Sequence, residues 1–231
     1  MVNIQKKMIA AFAIAAVSCG AQATLITNGF TFSVADGFTG ASSQGTHFHS
    51  SAGSGFGNPI GKAEVGGYDN SEEVRGLSEY DITGISGGGS VFASFNVYLM
   101  DGLFGQGGGG FDIDIVSYVG NGTDDITDWE ATSTGAVATF STAGLVVGDT
   151  ISFNVSSLLD AAILAGDSFF GIRLEQSVRD VTGPAYTFDN FRLTTTDEST
   201  VPEPATVVLL GLGLAVIGFI RRQKSGLQAA R

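Results

Sequence analysis

Basic residues are scarce in this chain: of 231 residues, 11 are Lys or Arg and 23 are Asp or Glu, giving a formal net charge of -12. Between Thr24 and Thr200 the only basic residues are Lys62, Arg75, Arg173, Arg179 and Arg192, against 22 acidic ones. A field of that sign repels nucleic acid backbones and anionic lipid surfaces, which excludes nucleic acid as a partner. The one cysteine, Cys19, lies close to the N-terminus, so the body has no thiol for a disulfide, a nucleophile or a metal ligand.

The chain opens with Lys6-Lys7, an apolar stretch from Met8 to Ser18 and the small-residue run Ala21-Gln22-Ala23. This order is that of a secretory signal peptide over residues 1–23, with signal peptidase expected to cut after Ala23 once the export machinery is engaged. The apolar stretch is too short to span a bilayer, which takes about 20 residues. Cys19 follows Ala16-Val17-Ser18, a poor lipidation context because Ala16 stands where a bulky aliphatic is usual, so it reads as a spectator lost with the signal.

The body, residues 24–200, reads as strands. Its first forty residues are Gly/Ser-rich and predict a long loop. Alternation follows: Val91, Ala93, Phe95, Val97 and Leu99 share one face, as do Phe111, Ile113 and Ile115, then Ile151, Phe153 and Val155, then Phe170, Ile172 and Leu174. Gly-rich turns separate these runs, so the expected fold is all-β, an antiparallel β-sandwich. A short helix is predicted over "LLDAAILA", with Ser157 as N-cap, Asp160 in the capping-box position and Gly166 as the stop. In "YTFDNFRLT" the apolar set changes parity between Phe188 and Phe191, which predicts a bulge near Asp189-Asn190. Strand, small helix, Gly and a closing strand loosely resemble jelly-roll modules of the carbohydrate-binding type over roughly Thr150 to Thr195. That likeness implies a jelly-roll-like sandwich and carries over no binding residues.

Catalytic motifs fail on context. Gly84 to Gly88 has nucleophile-elbow spacing and Gly105 to Gly110 has dinucleotide-loop spacing, but each leads into a strand where a helix is required, so both read as turns and the chain is not expected to be an enzyme. His47 and His49 share a face of an extended segment and offer half a metal site, in a stretch that otherwise reads as a solvated loop. The acidic residues give a calcium candidate: Asp112 and Asp114 from one strand face, with Asp124 and Asp125 from the loop after it, against a plain solvated acidic surface. No cofactor is otherwise required. Trp129 and Tyr118 are candidates for stacking on sugar rings, against a role in the core.

At the C-terminus, Pro202-Glu203-Pro204 precedes an uncharged run, Ala205 to Ile220, and then Arg221, Arg222 and Lys224. The run is expected to be a transmembrane helix with its basic tail in the cytoplasm and the body outside. Proline cannot lie inside a helix, so the Pro-Glu-Pro segment is expected to be extended at the outer membrane boundary. These three parts, in this order over residues 201–231, resemble the PEP-CTERM sorting signal of Gram-negative bacteria. The resemblance implies recognition of Pro202, Glu203 and Pro204 by an exosortase, Arg221 and Arg222 as the membrane stop signal, and transient residence in the inner membrane. It further implies delivery to the cell surface or extracellular matrix, with extracellular polysaccharide as a partner. The leading expectation is a structural or adhesive matrix protein of exopolysaccharide or biofilm; a carbohydrate-binding module comes second, and a secreted glycoside hydrolase using Asp112 and Asp114 third.

Overall fold

The computed structural model describes residues 23–36, 45–52 and 59–198. The expected signal peptide up to Gln22, the Pro202-Glu203-Pro204 motif, the apolar run 205–220 and Arg221-Arg222 lie outside the described residues. Among the described residues no helix is long and apolar enough to cross a membrane.

Among the described residues the body has ten strands: β1 (Leu25–Asp36), β2 (His47–Ser50), β3 (Ala63–Tyr68), β4 (Glu72–Asp81), β5 (Phe92–Leu99), β6 (Asp112–Val119), β7 (Ser133–Ser141), β8 (Thr150–Asn154), β9 (Phe169–Gln176) and β10 (Ala185–Thr194). A 3-10 helix, Ile126–Glu130, precedes β7, and α1 (Ser156–Ala165) joins β8 to β9. The all-β class with one short α-helix is therefore as the alternation predicts. The layering differs from the expected pair of separate sheets. The strands hydrogen-bond in the order β2-β1-β10-β3-β4-β9-β6-β7, with β5 bonded to both β10 and β8, and the pairings are antiparallel.

Two long strands, β1 and β10, cause this, each bonding more than one neighbour along its length. β1 bonds β10 through Leu25–Asn28 and then β4 from Gly29 to Asp36, which closes β1, β10, β3 and β4 on one another. One continuous, barrel-like sheet results, and its closure leaves fewer strand edges with unpaired backbone groups.

Inside, the alternating residues meet. Phe95 and Val97, Ile113 and Ile115, Ile151, and Phe170, Ile172 and Leu174 are all buried in one cluster with Phe188 and Leu193. Phe95 stacks on Phe191 at 4.7 Å between ring centres and meets Phe188 edge-on at 5.3 Å. Each such side chain contributes roughly 1.5–3 kcal/mol by leaving water. A second cluster on the opposite face of β1 and β4 holds Phe32, Val34, Leu77, Tyr118 and Trp129.

The parity change in β10 is a bulge, as predicted: its register against β5 slips between Asp189 and Arg192, and Asn190 has φ 53°. The helix ends where expected, with Gly166 left-handed at φ 82° and its N–H donating to the carbonyls of Ala162 and Ile163. Its start differs. Val155 is the N-cap residue and Ser157 caps nothing; Asn154 Oδ1 accepts from the Ser156 N–H at 3.0 Å instead. Asp160, free of the capping box, accepts from the Gly88 N–H at 2.9 Å and so ties the helix to the loop before β5.

Candidate metal centre

The β3–β4 hairpin turns at Asp69-Asn70, with φ 47° and 58°, and the Ser71 N–H donates to the Tyr68 carbonyl at 3.1 Å. Two consecutive positive φ values define the tight turn that matches strand twist, and Asp and Asn tolerate that conformation. Alternation along β3 sends Ala63 and Val65 into the core and leaves Glu64 on the opposite face. Glu64 is nevertheless fully buried, and Glu72, at the start of β4, is 4% exposed. Their cover includes β2, which pairs with β1 opposite Ser33, Val34 and Ala35 and brings His47 and His49 over the hairpin.

His49 lies between the two carboxylates, its Nδ1 donating to Glu64 Oε2 at 2.9 Å and its Nε2 lying 3.1 Å from Glu72 Oε2. His47 Nε2 lies 3.5 Å from the same Glu72 oxygen. His47, His49 and Glu72 thus form a group whose ligand atoms all fall within 4.8 Å of one another. The hydroxyl of Thr46 donates to the Ala35 carbonyl, so its oxygen accepts from His47 Nδ1 at 3.0 Å, leaving the lone pair of His47 on Nε2.

Burial, the largest influence on His49, pulls its pKa down, but its hydrogen bonds and ion pairs with Glu64 and Glu72 outweigh this and the net shift is upward. For His47, burial together with the charge of His49 outweighs the pull of Glu72, and the pKa falls.

The surroundings fix these groups. Glu64 Oε1 accepts from the Leu103 N–H at 3.1 Å and from Gln106 Nε2 at 2.9 Å. Tyr68 and Phe104 meet the His49 ring edge-on at 5.3 and 5.1 Å. The same two aromatics line a polar cleft of about 410 Å³ with Asp69, Asn70, Gln106 and Thr182. The Gly-rich loop that the sequence presents as a turn therefore has a second task, supporting this site.

The other candidates separate. Asp112 and Asp114 begin β6, whereas Asp124 and Asp125 follow its far end, and a strand advances about 3.3 Å per residue, so the four cannot share one ion. Asp114 instead accepts from Thr139 and Ser177 hydroxyls at 2.6 and 2.8 Å, and Asp125 accepts from the Thr127 N–H to cap the 3-10 helix.

Tyr118 and Trp129 are 1% and 2% exposed, so neither offers a ring face to a sugar. Tyr118 donates to Glu79 Oε1 at 3.0 Å, and Gly171 packs so closely on its ring that an added Cβ would come within 2.5 Å. Arg75 covers Trp129, its guanidinium 3.7 Å from the ring centre, and donates to the Trp129 carbonyl at 2.8 Å.

A family model for the PEP-CTERM protein-sorting motif matches residues 200–223, a span that contains Pro202, Glu203, Pro204, Arg221 and Arg222. The chain carries a PEP-CTERM sorting motif. No curated protein matches the chain. The motif marks an exported protein targeted to exosortase, its processing partner, and bound for the cell surface.

Glu64 and Glu72 are the site residues that sequence reasoning missed. Their signal is an alternation that assigns Glu64 to a solvent face which β2 then covers. Only the long-range contact of β2 with the hairpin reveals that cover.

Proposed function

We propose that the protein is exported by a signal peptide removed after Ala23, held in the inner membrane by the apolar run Ala205–Ile220, and released by an exosortase acting at Pro202-Glu203-Pro204. The β-body then resides in extracellular polysaccharide in a structural or adhesive role, without catalysis. The observation that carries this reading is the sorting motif at residues 200–223. The ends of the body support it: the Thr24 N–H donates to Thr195 Oγ1 and the Thr195 N–H to the Thr24 carbonyl, each at 3.1 Å. The hydrogen bonding of the β-body thus includes Thr24, the first residue after the expected cut.

Contact with glycan is best served by the cleft beside the hairpin. Phe104 is 51% exposed and stands with Tyr68 among Asp69, Asn70, Gln106 and Thr182, which gives an apolar face for a sugar ring and polar groups for its hydroxyls. The test follows location and mass of the protein in its own cells, for the natural chain and for a triple variant with Pro202→Ala, Glu203→Ala and Pro204→Ala. The natural chain is expected outside the cell without its C-terminal segment, and the variant full-length in the membrane. Intact membrane-bound protein in both cases would overturn the sorting reading. On a glycan array, Phe104→Ala is expected to lose whatever polysaccharide signal the natural chain gives; equal signals remove the cleft from the proposal.

A further inference from the structure

We propose that His47, His49 and Glu72 bind a single divalent late first-row transition metal ion of the zinc type. Zinc is held by imidazole nitrogen and carboxylate oxygen at about 2.0–2.1 Å, so neighbouring ligand atoms of a tetrahedral site stand about 3.3 Å apart. Here the two ring nitrogens lie 3.1 and 3.5 Å from Glu72 Oε2. Two edges of that tetrahedron are therefore already close to the required length, and all three ligand atoms fall within 4.8 Å of one another. The hydrogen bonds point the same way. Thr46 takes the Nδ1 hydrogen of His47 and Glu64 takes that of His49, which turns both Nε2 atoms toward the same glutamate oxygen.

Each imidazole thus has the outer partner that a metal-bound histidine requires, one of them a buried carboxylate. Glu64 is itself fixed by Leu103 and Gln106, so the supporting shell is built and not incidental. The donor set, nitrogen with one carboxylate and no sulfur, suits zinc or its neighbours and not calcium, which takes six to eight oxygens. The side chain of His47 is 44% accessible, so water or an added ligand can reach the group and supply a fourth donor.

Such an ion would clip β2, a four-residue strand, to the β3–β4 hairpin. In a body whose sequence has no cysteine after Cys19, it would supply the cross-link that exported proteins otherwise take from disulfides. The inference is independent of both the sorting and the glycan readings.

The test uses the full-length, untagged chain in detergent, stripped with chelator and titrated with ZnCl2 by calorimetry, alongside His47→Ala. His47 is half exposed, so this variant removes a ligand without opening the buried network; far-UV circular dichroism of both stripped proteins checks that they fold alike. One zinc per chain is expected, with a melting temperature raised by zinc. Co2+ in place of zinc is expected to give the intense visible absorption of a four-coordinate site. His47→Ala should bind at least about 10-fold more weakly and lose most of the thermal shift. Absence of zinc binding, or equal binding by His47→Ala, overturns the proposal, and so does a melting temperature that responds to CaCl2 and not to ZnCl2.

Discussion

Asp128 shows how one carboxyl group can make this acidic body sensitive to pH. It is 6% exposed, and its Oδ2 has no hydrogen-bond donor among the described residues. Burial raises its pKa from the ordinary 3.8 to about 7, with Glu79 and Asp125 adding to the rise and Arg173 opposing it. A folded-state pKa above the unfolded one means that the native state holds the proton more tightly. The associated stability is complete below the unfolded value and is lost as the pH rises through about 7. At one proton the loss is at most about 4 kcal/mol. Trp129, the only tryptophan, is the next residue and lies in the same 3-10 helix, so its emission reports unfolding of this region. In urea, the natural chain is expected to be less stable at pH 8 than at pH 5, and Asp128→Asn to flatten that slope. An unchanged slope would place the pH dependence elsewhere, with Glu79, whose pKa burial also raises, as the next group to replace.

At the scale of elements, β10 carries a testable turn of the backbone. Asn190 has a left-handed φ of 53° where β10 bulges against β5, and asparagine pays less than most residues for that conformation. Asn190→Gly should leave the melting temperature close to unchanged, whereas Asn190→Val, β-branched at a positive φ, should cost roughly 1–3 kcal/mol. If valine proves harmless, the bulge is not held by this residue. The bulge was legible in the sequence because β10 sends Tyr186 and Phe188 before it and Phe191 and Leu193 after it into one core cluster, and a slip of one residue has to move the apolar set to the other parity. Strands β5, β6, β8 and β9 were legible for the same reason. β4 was not: Val74 and Leu77 are buried, and so are Glu73, Ser78 and Glu79 on intervening positions, so with both faces covered the alternation disappears. β1 was hidden differently, in a region whose Gly and Ser content reads as loop although Phe30, Phe32 and Val34 alternate. The metal group was half legible, since the spacing of His47 and His49 is local while Glu64 and Glu72 reach them only through the fold.

For the whole molecule, the balance of charge decides how salt acts. All five basic residues of the body are committed to ion pairs: Lys62 with Asp189, Arg75 with Glu73, Arg173 with Glu175, Arg179 with Asp36 and Arg192 with Glu198. The acidic excess therefore has no cation left in the body to balance it, and most of the remaining charge repels like charge. Two responses to salt compete. Screening weakens the five pairs, but partly buried pairs such as Arg179 with the fully buried Asp36 are screened least. Screening also weakens repulsion across the surface, where the distances are long and the effect is greatest, as the Debye length falls from about 30 Å at 0.01 M to about 8 Å at 0.15 M. Repulsion should dominate, because the five pairs are all partly buried and lose little to screening, while self-repulsion of a strongly charged body acts against the compact state as a whole. The melting temperature of the full chain is accordingly expected to rise between 0.01 and 0.15 M NaCl. A gain of 1 kcal/mol in a domain of this size corresponds to about 2–4 °C. A fall over the same range would mean that the ion pairs outweigh the repulsion.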